Sequence, residues 1–303
     1  MGFEALYWLP FVAQLRHRLK ITPENLIVLS RGGTGAWYGP SPRVELYDYV
    51  PAKDFRLLAL ESQQHAGSIK QLGMTGFERD LVRLVATRLG LRHYGLLHPS
   101  RMYQVLDAYW TTQTMGLATA MQYLRIEPIP ACQVPLGLAL PEKFVAVRWY
   151  ARPTWQLRSE LLDWTHAMVR ALAASIPVVI LQSSHYVDDH VDFPAPAGPN
   201  ITAVTAEPWR DNLAVQTAIL QKASAFVGTW GGMAQLAVRL KIPTVAVYEQ
   251  WRGCSYQHLV MTQWLATMQG TTCVVGRPAD LEGVRSILPA PIAVPDPPRG
   301  SSS

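Results

Sequence analysis

The chain has 303 residues, 49% of them hydrophobic and 16% charged, which excludes disordered, collagen-like and coiled-coil proteins and predicts large buried cores. On length alone we expect about two domains of roughly 150 residues. The formal net charge of +5 comes from 21 arginines and 6 lysines, so the positive charge is mostly planar guanidinium, which suits phosphates and carboxylates.

The first half predicts an α/β unit. Leu6, Leu9, Val12, Leu15 and Leu19 recur at helical spacing, so the chain starts inside a helix. A strand at 25–30, a Gly-rich turn at 31–36 and a second strand at 44–47 follow it. Helices are expected at 55–64, 77–89 and 102–109.

A proline-rich segment at 126–141 predicts the linker between two domains, because its four prolines suit neither a helix nor a central strand. We therefore expect an N-terminal domain at 1–140, a C-terminal domain at 141–288 and a flexible tail at 289–303. The first 140 residues hold 14 basic and 10 acidic side chains, a net charge of +4, so the basic excess lies there.

The second half alternates short β-branched runs with amphipathic segments, which is typical of a parallel sheet covered on both faces. The expected strands are 144–149, 178–181, 201–204, 225–228, 244–248 and 272–275, and the expected helices are 157–174, 212–222, 233–240 and 256–268.

A glycine turn gives the sharpest chemical signal. The strand that ends at Thr229 runs through Gly231 and Gly232 into a helix, so backbone N–H groups at the positive helix end can bind a phosphate. The spacing matches neither GxGxxG nor GxxxxGK[ST], which disfavours a nicotinamide enzyme and a P-loop NTPase. A tight turn without a ligand explains the glycines equally well.

This stretch resembles the donor-binding half of GT-B glycosyltransferases of bacterial cell-surface polysaccharide synthesis. They have a Gly-Thr/Ser-x-Gly-Gly-like turn, then a G-x-P-x-V-A-x-Y strand, which Lys241–Tyr248 matches here. The blocks GFEALYWLPF, Ser30–Gly33 and Phe144–Arg152 also resemble uncharacterised bacterial members. The resemblance implies two Rossmann-like doubly wound domains facing a cleft, with the nucleotide-sugar mostly on the C-terminal domain and the acceptor on the N-terminal one.

The resemblance also implies site residues. A diphosphate would lie among Gly228, Thr229, Gly231 and Gly232, with Gln235 one helical turn on. Arg148 and Arg152 would stabilise the leaving group, Glu249 would bind the ribose, and His258 with Arg252 would approach the phosphates or the base. The alternatives are ordinary: a surface ion pair for Arg152, a solvated acid for Glu249 and a capping histidine for His258.

In the first domain, Glu4 is the candidate general base, expected where a first strand meets its helix, although a helix-start acid is the competing interpretation. Ser30, Arg31, Gly32 and Gly33, with His65, would bind the acceptor or the donor phosphates. The sequence begins after the place of the opening strand, so either the start is assigned late, the chain has been trimmed at its start, or this sheet has lost a strand, which puts the role of Glu4 and the activity of this chain in doubt.

Several expectations concern what the protein does without. The loop at 185–192 lacks the spacing of a calcium site, and GT-B transfer needs no DxD-bound metal, so we expect no metal and no cofactor. Cys132, Cys254 and Cys273 form no CxxC pair, so we expect no disulfide framework. No nucleic-acid motif occurs. The cytoplasm fits best, with peripheral contact at the inner membrane.

We therefore expect a metal-independent transferase acting on a nucleotide-sugar and a saccharide or lipid-linked acceptor. Two alternatives stay open: a non-catalytic nucleotide-sugar-binding protein, and a nucleotide-sugar 2-epimerase of the same architecture.

Overall fold

The chain divides into two compact units. The helical unit is Tyr7–Glu127, and the sheet unit combines Met1–Leu6 with Pro128–Ser303. The junction after Glu127 lies inside the proline-rich segment 126–141. A computed structural model describes residues 2–65, 72–151, 155–183, 190–206, 209–250 and 255–280.

Helices dominate the helical unit. A π-helical turn, Glu4–Trp8, begins in the sheet unit and continues at Tyr7 into this unit, where it leads into α1 (Leu9–Leu19) and confirms the predicted opening helix. The later helices are α2 (Ala52–His65), α3 (Gly76–Arg88), α4 (Ser100–Trp110) and the single turn α5 (Leu117–Ala120). Short 3-10 turns lie at Pro23–Asn25, Thr34–Tyr38, Leu46–Asp48 and Met121–Tyr123.

Two short strands, β1 (Val28–Ser30) and β2 (Arg43–Glu45), pair in parallel in this unit. The described part of the unit therefore differs from the doubly wound sheet that the sequence predicted. The doubly wound sheet was implied by the resemblance, whereas the described residues form two short strands followed by α2, α3 and α4, the helices that the apolar spacing predicts. Met102, Leu106 and Tyr109 are buried at intervals of three and four, which is the period of a helix and not of a strand.

In its described part, the sheet unit holds six parallel strands in the order β10-β9-β8-β3-β5-β7. Numbered within the sheet, this order is 6-5-4-1-2-3, the doubly wound Rossmann arrangement. The predicted alternation of strands and helices is confirmed. The strands are β3 (Val145–Arg148), β5 (Val178–Ser183), β7 (Ile201–Ala206), β8 (Ala225–Thr229), β9 (Thr244–Val247) and β10 (Cys273–Gly276).

Helices cover this sheet, and a separate two-stranded ribbon follows β3. The helices are α6 (Ser159–Ala173), α7 (Asn212–Leu220), α8 (Gly232–Arg239) and α9 (Tyr256–Gln269), with a 3-10 turn at Trp209–Asp211. Every residue of β3, β8 and β9 is buried, as expected for central parallel strands. Beyond β3, β4 (Tyr150–Ala151) pairs antiparallel with β6 (Val191–Asp192).

Candidate ligand site at the switch point of the sheet

The strand order reverses between β3 and β8, which lie side by side with Arg148 opposite Gly228. In open doubly wound sheets, ligands bind outside the carboxyl ends of the strands at such a switch point. The residues at these ends are Arg148 to Tyr150 on β3–β4 and Thr229 to Gly232 on β8–α8. The glycine turn singled out by the sequence therefore lies at the position where the fold favours a ligand.

The glycines of this turn have packing reasons of their own. A Cβ atom on Gly228 would collide with the backbone oxygen of Arg148, and one on Gly231 would collide with the hydroxyl of Tyr150. The Thr229 hydroxyl is buried and accepts the N–H of Tyr150 at 3.2 Å. Thr229 thus joins β8 to β4, and only the backbone of the turn is left to contact a ligand.

Gln235 lies one turn into α8 and is almost fully buried. Its side-chain amide packs against Gly2, where a Cβ atom would collide with the amide oxygen and would lie 3.3 Å from the Cα atom of Gly232. The segment before Tyr7 is held there also by Arg239, whose Nε donates to the backbone oxygen of Ala5 at 3.2 Å. Gln235 is therefore a packing partner of the N-terminal segment.

Arg148 is buried, and each of its three guanidinium nitrogens donates a hydrogen bond. Its guanidinium donates to Gln216 Oε1 at 2.6 Å, to Ser183 Oγ at 2.9 Å and, through Nε, to Asp192 Oδ1 at 3.2 Å. The second carboxylate oxygen of Asp192 accepts the backbone N–H of Ser183 at 2.5 Å. Gln216 is in turn fixed by Asn212, whose Oδ1 accepts from Gln216 Nε2 at 2.7 Å. The sequence pointed to Arg148 but missed these partners.

Tyr150 and His190 form an aromatic pair beside the glycine turn. Their ring centroids are 4.5 Å apart, and the guanidinium of Arg148 lies 5.7 Å from the centroid of the Tyr150 ring. The Tyr150 hydroxyl lies directly over Gly231. Tyr150 and His190 are 40 residues apart in the sequence, and no motif joins them.

Glu249 and His258 each have a protein partner. The Glu249 carboxylate, 13% exposed, makes an ion pair with Arg158. The His258 ring meets Phe3 edge-on, with centroids 4.6 Å apart. The solvated-acid alternative for Glu249 is thus replaced by an ion pair, and any ribose contact would have to share this carboxylate with Arg158.

Glu4 corrects an expectation. It lies in a helical turn preceded by Gly2 and Phe3, which are themselves helical, so it does not stand at a strand–helix junction. It belongs to the sheet unit and not to the N-terminal domain. The cause is its neighbours, because Gly2 packs against Gln235, Phe3 contacts His258 and the backbone oxygen of Ala5 accepts from Arg239, all within that unit.

The Gly32–Gly33 turn is an anion-binding turn that already holds an anion. The backbone N–H groups of Gly32 and Gly33 donate to the two carboxylate oxygens of Glu45 at 3.0 and 2.9 Å. Burial raises the pKa of Glu45, and these bonds oppose the shift. Ser30 is buried with its Oγ accepting the N–H of Gly35, and Arg31 lies over the Phe55 ring at 4.9 Å. Sequence reasoning missed Glu45.

Some predicted residues lie outside the description. Arg152, Arg252 and most of the 185–192 loop are not among the described residues, and neither is the side chain of His65. Within the described ranges, no group of three His, Cys, Asp or Glu residues is placed to hold a metal ion. Among the helices of those ranges, none combines the length and apolarity needed to cross a bilayer.

No protein-family model matches the chain, and no curated protein matches it. Among solved structures, it is similar to the iron-containing dodecameric glycosyltransferase TibC of enterotoxigenic E. coli H10407, at 20% identity over 42% of this chain and 34% of that one, with a TM-score of 0.29. It is also similar to the glycotransferase of kitacinnamycin, at 15% identity over 88% of this chain and 67% of that one, with a TM-score of 0.30. The match to TibC thus spans about a third of that protein.

Proposed function

We propose that the protein is a glycosyltransferase that moves a sugar from a nucleotide-sugar to a saccharide or lipid-linked acceptor. The observation that carries the proposal is the glycine turn Thr229–Gly232 at the switch point between β3 and β8. The resemblance of the same stretch to the donor half of GT-B enzymes supports a nucleotide-sugar as the ligand.

In this proposal the diphosphate binds to the first turn of α8. The backbone N–H groups at this end of α8 have no acceptor within the helix, and they form the positive end of the helix dipole. The same groups would stabilise the charge that develops on the departing nucleoside diphosphate, so the displacement would need no metal ion. Arg152 would add a cation, and the acceptor would lose its proton to Glu4 or another base.

Arg148 takes a different part in the proposed site from the one first expected. Its guanidinium donates hydrogen bonds to Asp192, Gln216 and Ser183, so it would act on a ligand through long-range electrostatics and not through a direct hydrogen bond. The Glu249 carboxylate would accept from both Arg158 and the ribose, and His258 would line the site together with Phe3.

The acceptor side of the proposal rests on charge. The first 140 residues carry a net charge of +4, which favours anionic acceptors such as a lipid-linked diphosphate and attraction to an anionic membrane surface. A GT-B arrangement, with the acceptor on the N-terminal side, belongs to the same proposal, as do the cytoplasm and the inner membrane as its place.

A ligand screen tests the proposal. The full chain is titrated calorimetrically with UDP-, GDP-, dTDP- and CMP-linked sugars and with the free nucleotides. We expect saturable binding of one nucleotide class, weakened at least about 10-fold by Gly231→Ala, because the methyl group crowds Tyr150 at the turn. Gly95→Ala, whose Cβ meets open space, is the matched control. Binding of no nucleotide would overturn the proposal.

A second candidate is a nucleotide-sugar-binding protein without transfer activity. The observation that favours it is the engagement of Arg148 and Glu249 with protein partners. Slow hydrolysis of a bound donor, lost in Arg152→Ala or Glu4→Gln, would favour the transferase. Donor binding with no turnover in the presence of saccharide and lipid-linked acceptors would favour the binding protein.

A further inference from the structure

A chain of contacts runs across the carboxyl ends of the strands and ends at the glycine turn. It begins at α7, where Gln216 accepts from Arg148, and continues through the Arg148–Asp192 ion pair at 3.2 Å. Asp192 lies opposite Tyr150 in the β4–β6 ribbon. The Tyr150 hydroxyl then meets the Cα atom of Gly231. The chain thus joins a buried charge pair to Gly231, the residue of the glycine turn that precedes α8.

Each link of this chain restricts the Tyr150 ring. The backbone of Tyr150 is tied to Thr229, since its N–H donates to the Thr229 hydroxyl and its carbonyl accepts from it at 3.4 Å. One face of the ring is close to the Arg148 guanidinium, and the His190 ring packs at 4.5 Å. Few side-chain conformations are left to a ring held in this way, so its hydroxyl is fixed over the turn.

The position of that hydroxyl matters for a ligand. Gly231 is the residue before α8, and an anion bound to the first N–H groups of the helix would lie next to its Cα atom. A phenol hydroxyl there is within reach of the anion and can donate to it, and hydrogen bonds to charged acceptors are the stronger ones. The ribbon that carries Tyr150 would shift without Asp192, because this carboxylate joins Arg148 to the backbone of Ser183.

We propose that Tyr150 is a ligand-contacting residue whose hydroxyl donates to a phosphate of the nucleoside diphosphate at the α8 turn, and that Asp192 and Arg148 are positioning residues that hold it there. The inference rests on the proposed function and deepens it. The ligand class it names is a nucleoside diphosphate, free or sugar-linked. No covalent step is assigned to Tyr150.

The test compares affinities for the nucleoside diphosphate that the wild-type chain binds in the screen. Tyr150→Phe removes only the hydroxyl, and we expect a loss of affinity of about 10-fold or more, the lower end for a bond to a charged group. Tyr94→Phe, at an exposed tyrosine, is the matched control and should bind as the wild type does. Thermal unfolding of each variant checks that the fold is kept.

A double-mutant cycle tests the positioning role. Asp192→Asn alone should weaken binding, but in the Tyr150→Phe background it should cost little more, because Asp192 acts on the ligand through Tyr150. Wild-type binding with unchanged affinity in Tyr150→Phe would overturn this inference and leave the proposed function standing. Additive losses would overturn the positioning role, and a wild-type chain that binds no nucleotide would overturn both proposals.

Discussion

The carboxylate of Glu45 lies 2.9 Å from the backbone nitrogen of Gly33, as the acceptor of its N–H group. Gly32 and Gly33 both have positive φ angles, 64° and 81°, which aim consecutive N–H groups at one point. An internal anion therefore occupies a turn that the sequence suggested for a bound phosphate.

Acidification tests the state of Glu45. Because burial raises the pKa of Glu45 above its ordinary value of 4.5, the folded protein binds a proton at a pH where the unfolded chain has released it. The free energy of unfolding should therefore gain a stabilising term, and so increase, as the pH falls through the raised pKa toward 4.5.

Urea unfolding of the wild type and Glu45→Gln at several pH values measures this term. The free energy of unfolding of the wild type, minus that of Glu45→Gln, should increase as the pH falls, since glutamine does not titrate. A difference that stays constant, or that moves the other way, would contradict the raised pKa.

Adding a methyl group at Gly2 should destabilise the sheet unit. In Gly2→Ala the new Cβ atom collides with the buried amide of Gln235, and overpacking of this kind costs about 1–3 kcal/mol, partly offset by the better helix propensity of alanine. Gln235→Ala should make room for it, so the double variant should be more stable than the sum of the single effects. Chemical unfolding measures all three, and strict additivity would show that the two residues do not touch.

The start of α3 offers a capping test. The Thr75 hydroxyl accepts the N–H of Glu78, and the Glu78 carboxylate accepts the N–H of Thr75 at 2.8 Å, which completes a capping box. Thr75→Ala should lower the free energy of unfolding by about 1 kcal/mol. Thr87→Ala, at an exposed position of the same helix, is the control and should be neutral or slightly stabilising. Equal effects of the two changes would speak against the cap.

Cys273 should resist alkylation. Burial raises the pKa of its thiol to about 12, so almost no thiolate forms at neutral pH. Iodoacetamide followed by peptide mass spectrometry should label Cys132 well before Cys273 in the folded protein and both at similar rates in guanidinium chloride. Early labelling of Cys273 under native conditions would contradict the raised pKa of its thiol.

The elements of the sheet unit were predictable because each depends on local pattern. The run Val145–Arg148 predicts a central strand, and the glycines before α8 predict the start of a helix. Each of these signals spans only a few residues of sequence. The switch point then follows from the strand order. Local pattern thus located the candidate site but could not say which side chains would face it.

The partners across the site were not predictable, because they come from distant parts of the chain. Asp192 and Gln216 lie 44 and 68 residues from Arg148, and no spacing rule joins them. Glu45 was missed for a related reason, since its role appears only when β1 and β2 pair and bring it to Gly32. Glu4 was misplaced because contacts with distant residues, Arg239 at Ala5 and His258 at Phe3, decide which unit the first residues join.

The attachment of residues 1–6 to the sheet unit has a consequence for folding during synthesis. The bond between Arg239 and the backbone of Ala5 closes a loop of 234 residues, at an entropic cost on the order of 5 kcal/mol. Residues 1–6 are synthesised long before α8 and can make this contact only after α8 has been made. The helical unit is encoded between the two parts of the sheet unit, so the N-terminal segment is among the last pieces that can dock.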